Sequence, residues 1–173
     1  MRTLFAFVAV GLIVGGLGLA YVRSTGLRGQ AEPGALETLV ARQVRALAVP
    51  DDIKVLRNPL PPSAKNVRAG MEHFARYCAM CHGNDGSGQQ SAIGRGLFPK
   101  PPDMRANSTQ QLTDGELFYI IENGVRFTGM PAFGDGKVDG PGASLAWQLV
   151  HFVRHVPRLT SDEVGEIETM NPL

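Results

Sequence analysis

The sequence predicts an all-α fold, and three observations carry that expectation. No segment alternates apolar and polar residues with the two-residue period of a strand, whereas several carry the 3.6-residue stripe of a helix. Helix-start signals precede those stripes: Thr113-Asp-Gly-Glu116 and Thr160-Ser-Asp-Glu163 are capping boxes. The connections are long and rich in glycine and proline, which punctuate helices rather than extend them.

The first thirty residues are compositionally separate. Thr3 to Val22 (TLFAFVAVGLIVGGLGLAYV) is twenty residues without a charge. About 20 apolar residues in a helix cross a hydrocarbon core of about 30 Å. A signal peptide has a shorter apolar region of about 7–15 residues. Length therefore favours a retained anchor over residues 1–23, and the small residues at Gly18-Leu19-Ala20 leave cleavage there as the rival reading. Arg2 precedes the span and Arg23 and Arg28 follow it, so charge does not fix its orientation.

Residues 24–62 read as a linker containing one helix. Ser24 to Pro33 is short and polar. Gly34 to Val49 places Leu36, Leu39, Val40, Val44 and Leu47 on one side of an amphipathic helix that Pro50 ends. Residues 51–65, with Pro59, Pro61 and Pro62, read as extended loop. Residues 63–173 form the main domain. Asn66 is placed to cap a helix running through Gly70, Met71, Phe74 and Tyr77, with Met71 packing inward. Residues 84–96 read as a glycine-rich loop, and 98–104 as a proline-stiffened one. The Thr113 box opens a helix over 117–123 that Gly124 stops. Residues 125–133 are loop, and 134–142 a mobile glycine-rich loop. Ser144 can cap a last long helix, LAWQLVHFVRHV, ended by Pro157, and a short acidic helix follows the Thr160 box.

Cys78-Ala79-Met80-Cys81-His82 is the stretch that carries chemistry. It reads C-x-x-C-H, the attachment signature of a c-type haem. On a helix, positions i, i+3 and i+4 share a face. Two thiols can then form thioethers to the haem vinyl groups while the imidazole of His82 reaches the iron. The chain has only these two cysteines. A structural zinc site needs four ligands, usually from two such pairs, and His73, His151 and His155 have no zinc-ligand spacing to this one. A thioredoxin-like C-x-x-C belongs beside a βαβ pattern, which is absent. Covalent haem attachment takes place on the outer side of the bacterial cytoplasmic membrane or its organellar equivalent. This puts the haem domain in the periplasm, held by a single-pass anchor. The lack of further cysteines suits an oxidising compartment.

A haem held by one histidine needs a second axial ligand or keeps an open position. The candidates are Met71, Met80, Met104, Met130, Met170 and the other three histidines. Met80 lies inside the attachment motif and cannot reach the opposite haem face. Met71 lies on the incoming helix and Met170 in the tail. Met130 stands in a loop after a helix, and Pro131 biases it away from helical dihedrals, which suits a side chain projected across a cavity. Met130 is therefore the expected second ligand.

With these residues in place, the chain resembles a class I monohaem cytochrome c of the bacterial, membrane-anchored or periplasmic kind, over about residues 58 to 170. Gly70 and Phe74, eight and four residues before Cys78, match the family's N-terminal helix. Trp147 and Phe152 match its C-terminal helix, where an aromatic packs across Gly70. NGVRFTGMPAF, residues 123–133, resembles the methionine loop. Pro101-Pro102-Asp103-Met104 resembles the segment whose proline carbonyl accepts the Nδ1–H of the haem histidine, a role that falls to Pro102. The loop between His82 and Pro102 is longer than in the smallest members. The resemblance implies a class I cytochrome c fold around one covalent haem c, preceded by a transmembrane helix. Arg105 and Arg126 are candidates to neutralise the haem propionates, although each is more often a solvated side chain.

A His/Met haem is fully coordinated and leaves no site for oxygen or peroxide, so an enzyme is disfavoured. The thioether raises the reduction potential. The expected function is one-electron transfer by a membrane-tethered carrier in a respiratory or related chain. Its redox partners would be a membrane dehydrogenase, a quinol:cytochrome c oxidoreductase or a terminal oxidase. The rivals are a fixed haem subunit of a larger oxidase or dehydrogenase, marked by an apolar patch such as the 34–49 helix, and a haem enzyme or gas sensor with a labile methionine. Residues 66–158 carry nine basic and eight acidic side chains, and the tail from Leu159 carries four acids and no base. That balance excludes the basic face a nucleic acid needs and argues against strong electrostatic steering. His151 and His155, at i and i+4 on the last long helix, lack a third ligand and read as surface or interface histidines. Trp147 reads as core, and the acidic tail as a solvated helix face.

Overall fold

The structure, a computed structural model, describes residues 2–26, 28–140 and 142–171. Positions 1, 27, 141, 172 and 173 lie outside that description, Pro141 of the glycine-rich loop among them. The described residues are helical, with no strand. The elements are α1 (Arg2–Thr25), α2 (Ala35–Ala48), α3 (Asp51–Lys54), α4 (Ala64–Tyr77), α5 (Ala79–His82), α6 (Ala92–Gly96), α7 (Asn107–Gln110), α8 (Asp114–Asn123), α9 (Ala143–His155), a 3₁₀ turn (Val156–Arg158) and α10 (Ser161–Met170).

The domain is organised by α4 crossing α9. Gly70 makes the crossing possible: a Cβ there would run into the Gln148 carbonyl and lie 2.8 Å from the Cβ of Phe152. The two backbones therefore approach closely, and the Phe74 and Phe152 rings pack beside them at 5.0 Å. Phe152 is the aromatic that meets Gly70. Trp147 points elsewhere and stacks on Phe118 of α8 at 4.2 Å. Met71 packs inward as expected, while Tyr77 is half exposed. α10 covers α4 with the fully buried Ile167. Its acidic face is only partly solvated, because Glu166 pairs with Arg68 at 2.6 Å and Glu163 with His155 at 2.8 Å.

Local chemistry corrects several boundaries. Residues 51–65 are not wholly extended: Asp51 and Asp52 open the short helix α3, consistent with acids favouring a helix N-terminus. The cap of α4 is Ser63, whose hydroxyl accepts from the Asn66 amide. Asn66 instead sits in the first turn and donates its side-chain amide to the Pro61 carbonyl. Ser91 caps the short helix α6 at the end of the expected loop. α9 starts one residue before Ser144, with Gly142 at its N-cap and no side-chain cap. Pro157 does not stop the chain's winding; it is tolerated near the start of the 3₁₀ turn, where its missing N–H is not needed. The Thr113 and Thr160 capping boxes form as read.

The N-terminal arm differs. Thr3–Ser24 is long and apolar enough to cross a membrane, and none of it is buried. α2 also has no buried residue. The Gly29 backbone lies against Gly96, where a Cβ would meet the Gly96 carbonyl, and the first buried residue after α1 is Val49, 3% exposed.

Candidate haem-binding site

The attachment motif is built by a break between two helices. At Cys78 the backbone leaves regular α geometry (φ −110°), yet its N–H still bonds Phe74 O at 2.8 Å. One further turn, α5, follows. Cys81 N and His82 N both bond the Cys78 carbonyl, at 3.0 and 2.9 Å. Cys78, Cys81 and His82 thus share one turn, as the i, i+3, i+4 spacing requires. Gly83, at φ 75°, ends it in a conformation that disfavours a side chain. Gly88 N then bonds His82 O at 2.7 Å, and Met104 N bonds Gly86 O at 2.9 Å. A Cβ at Gly88 would meet the Pro101 carbonyl. These close approaches draw residues 101–104 onto the loop that leaves His82.

Burial sets the chemistry of the three side chains. Both cysteines are free. The Cys78 thiol is pushed up to about 12, by burial first and by the neighbouring Cys81 second. Burial also raises Cys81. The His82 imidazole is 8% exposed and pushed down to about 4, mainly by burial, with the Pro102 backbone acting in the opposite direction. Among the described residues no group meets its Nδ1 in well-formed hydrogen-bond geometry. Pro102 is the polar neighbour close enough to raise its pKa. A neutral buried imidazole is the form that ligates a metal.

Met130 lies on the loop between α8 and α9. Val125 N bonds the Met130 carbonyl at 3.1 Å, and Met130 N bonds the Thr128 hydroxyl at 3.1 Å. Its side chain is partly buried against the core. Met104 belongs to the other segment, tied to Gly86 four residues past His82. Arg105 is held by two carboxylates, Asp103 at 2.9 Å and Asp85 at 3.1 Å. Arg126 is exposed. His151 Nε2 lies 2.9 Å from Leu60 O and His155 Nε2 2.8 Å from Glu163 Oε1, so each imidazole is engaged elsewhere. Among the described residues no cluster of three or more His, Cys, Asp or Glu could hold a metal ion.

Three features went unread in the sequence. Glu122 is 1% exposed and one carboxyl oxygen, Oε1, has no hydrogen-bond partner among the described residues. Its signal was available: it lies four residues after buried Phe118, on the core stripe of α8. Trp147 Nε1 is likewise buried with no hydrogen-bond partner among the described residues. Phe127, three residues before Met130, is 93% exposed with φ 61°. Nothing in its spacing marks that backbone.

Two free thiols and a buried imidazole on one turn, with a partly buried thioether on a separate loop, fit a covalently held haem. Fold and motif together define a c-type cytochrome domain. The family profile described as "Cytochrome C oxidase, cbb3-type, subunit III" matches residues 65–153, just over half of the chain. The chain belongs to this family of c-type cytochromes, whose business is haem-based electron transport. No curated protein matches it.

Proposed function

We propose that this chain is a membrane-tethered, one-electron carrier with a single haem c, attached through Cys78 and Cys81 and ligated by His82 and Met130. The observation that carries the reading is the single turn holding both thiols and the buried imidazole. When bound, the haem supplies reversible one-electron exchange at its iron. Cys78 and Cys81 would fix its position, and the Pro102 carbonyl would orient His82 through Nδ1, as ligating histidines require. Met130 would supply its thioether as the second protein ligand to the iron and raise the potential, which disfavours catalysis there. A span and linker would keep the domain in the periplasm at high effective concentration near membrane partners. The domain's nearly balanced charge adds little steering.

The test has two parts. Cys78→Ala with Cys81→Ala is expected to abolish covalent haem on a denaturing gel stained for haem peroxidase activity; a surviving band at the chain's mass would refute the attachment site. Met130→Ala is expected to keep the haem, lose the weak red-edge absorption of sulfur–iron(III) ligation and lower the potential. If Met104→Ala does this instead, the ligand is Met104.

A second reading, a fixed haem subunit of a larger oxidase, is supported by the family's description and by the exposed apolar face of α2. Purification from membranes separates the two. A stoichiometric partner favours the subunit, and a lone cytochrome favours the carrier.

A further inference from the structure

Glu122 ends the buried face of α8 and is used by nothing in the haem site as described. An uncompensated buried carboxyl is costly, so what surrounds it matters. Its Oε2 accepts from the Gly136 amide at 3.3 Å. Its backbone carbonyl accepts from Gly134 N at 3.1 Å, beside the bond from Phe133 N to Ile121 O at 3.1 Å. Gly136 reaches the carboxyl with φ 78°, and Gly134 leaves room for it, since a Cβ there would collide with both carboxyl oxygens. The loop is therefore shaped around this one side chain, four to six residues past Met130. On the other side of Met130, Gly124 packs so closely that a Cβ would lie 2.7 Å from the Met130 carbonyl.

We propose that Glu122 is a positioning residue: its carboxyl ties Gly136 to the end of α8, adding to the main-chain bonds of Phe133 and Gly134, and thereby holds the Met130 segment at the haem. This rests on the reading of Met130 as the axial ligand. A segment fixed at both ends presents its thioether in one place. Freeing the downstream end adds conformations in which the sulfur is away from the iron, so the bond weakens without any change in the ligand.

The experiment compares full-length holoproteins carrying Glu122→Gln, Glu122→Ala and Gly134→Ala with the wild type. It reads the sulfur–iron(III) band, the reduction potential, and the affinity of the oxidised form for added imidazole, which must displace the methionine. Glu122→Gln keeps an acceptor for Gly136 N and should match the wild type. Glu122→Ala should weaken the band, lower the potential and bind imidazole about tenfold more tightly, roughly the worth of one hydrogen bond. Gly134→Ala pushes the loop off Glu122 while leaving the carboxyl in place. It should behave like Glu122→Ala, and it decides the matter if Glu122→Ala does not fold. If the band is absent from the wild type or survives Met130→Ala, the ligand reading has failed. If that reading holds but the folded Glu122→Ala or Gly134→Ala protein keeps wild-type potential and imidazole affinity, Glu122 serves stability alone and the proposal is wrong.

Discussion

Phe152 in α9 and Leu47 in α2 are both large apolar side chains on amphipathic helices, yet Phe152 is fully buried and Leu47 is 83% exposed. Periodicity predicted both helices equally well. What separates them is a partner: α9 has the groove opened by Gly70, whereas α2 buries nothing. Helical stripes specify local structure, but most of a helix's stability comes from packing its apolar face. The domain and the arm thus follow the same sequence rules with different energetic consequences.

The comparison breaks most readily at those two positions. Phe152→Ala should cost about 3–5 kcal/mol, the usual range for emptying a buried aromatic site. Leu47→Ala should stay within about 0.5 kcal/mol, as exposed positions do. Chemical denaturation of the detergent-solubilised holoprotein, followed at the haem absorption, measures both. Similar losses at the two sites would mean that α2 packs on the domain.

Glycines sharpen the same contrast. Gly70→Ala drives a methyl into the Gln148 carbonyl and should cost about 1–3 kcal/mol or more. Gly165 is also helical, in α10, but a Cβ there meets nothing within 4 Å. Gly165→Ala should therefore stabilise by up to about 1 kcal/mol, because glycine is the poorer helix former. Unfolding midpoints of opposite sign are expected. A neutral Gly70→Ala would show that the α4–α9 crossing is looser than described.

The same distinction explains what was legible in the sequence. The helix class, the two capping boxes, inward-facing Met71 and the Cys78–His82 turn all follow from spacing within a few residues. Ser63 displaced Asn66 as the cap because both are good capping residues, and only the path of Pro61–Pro62 decides between them. The Gly142 start of α9 was hidden because no side chain caps it. Arg105 could be read as a candidate for propionates, but Asp85 lies twenty residues away in sequence and only folding brings their charges together. Glu122 was missed for a related reason: its meaning depends on a loop that closes over it from twelve residues downstream.

Phe127 is the domain's exception, an aromatic as exposed as anything in the arm. It also holds φ 61°, which for a side chain other than glycine costs about 1–2 kcal/mol. No packing offsets that cost. Phe127→Gly should therefore raise domain stability by about 1 kcal/mol in the same denaturation experiment. A loss instead would mean that the ring packs on the bound haem or a neighbouring loop.

The smallest effect should come from the largest deletion. Removing residues 1–30 behind a cleavable signal discards the apolar span, and removing residues 1–48 also discards α2. No described side chain of α1 or α2 is buried, so neither deletion removes core. Both truncated cytochromes should have the full-length absorption spectrum, and their denaturation midpoints should agree to about 0.5 kcal/mol. They should differ in solution. The shorter deletion leaves Leu36, Leu39, Val40, Val44 and Leu47 facing water on one helix, and exposed apolar patches promote association. Size-exclusion chromatography should therefore find the 49–173 fragment monomeric and the 31–173 fragment more self-associated. If the longer deletion lowers the midpoint by a kilocalorie or more, α2 belongs to the domain and the contrast between Phe152 and Leu47 collapses.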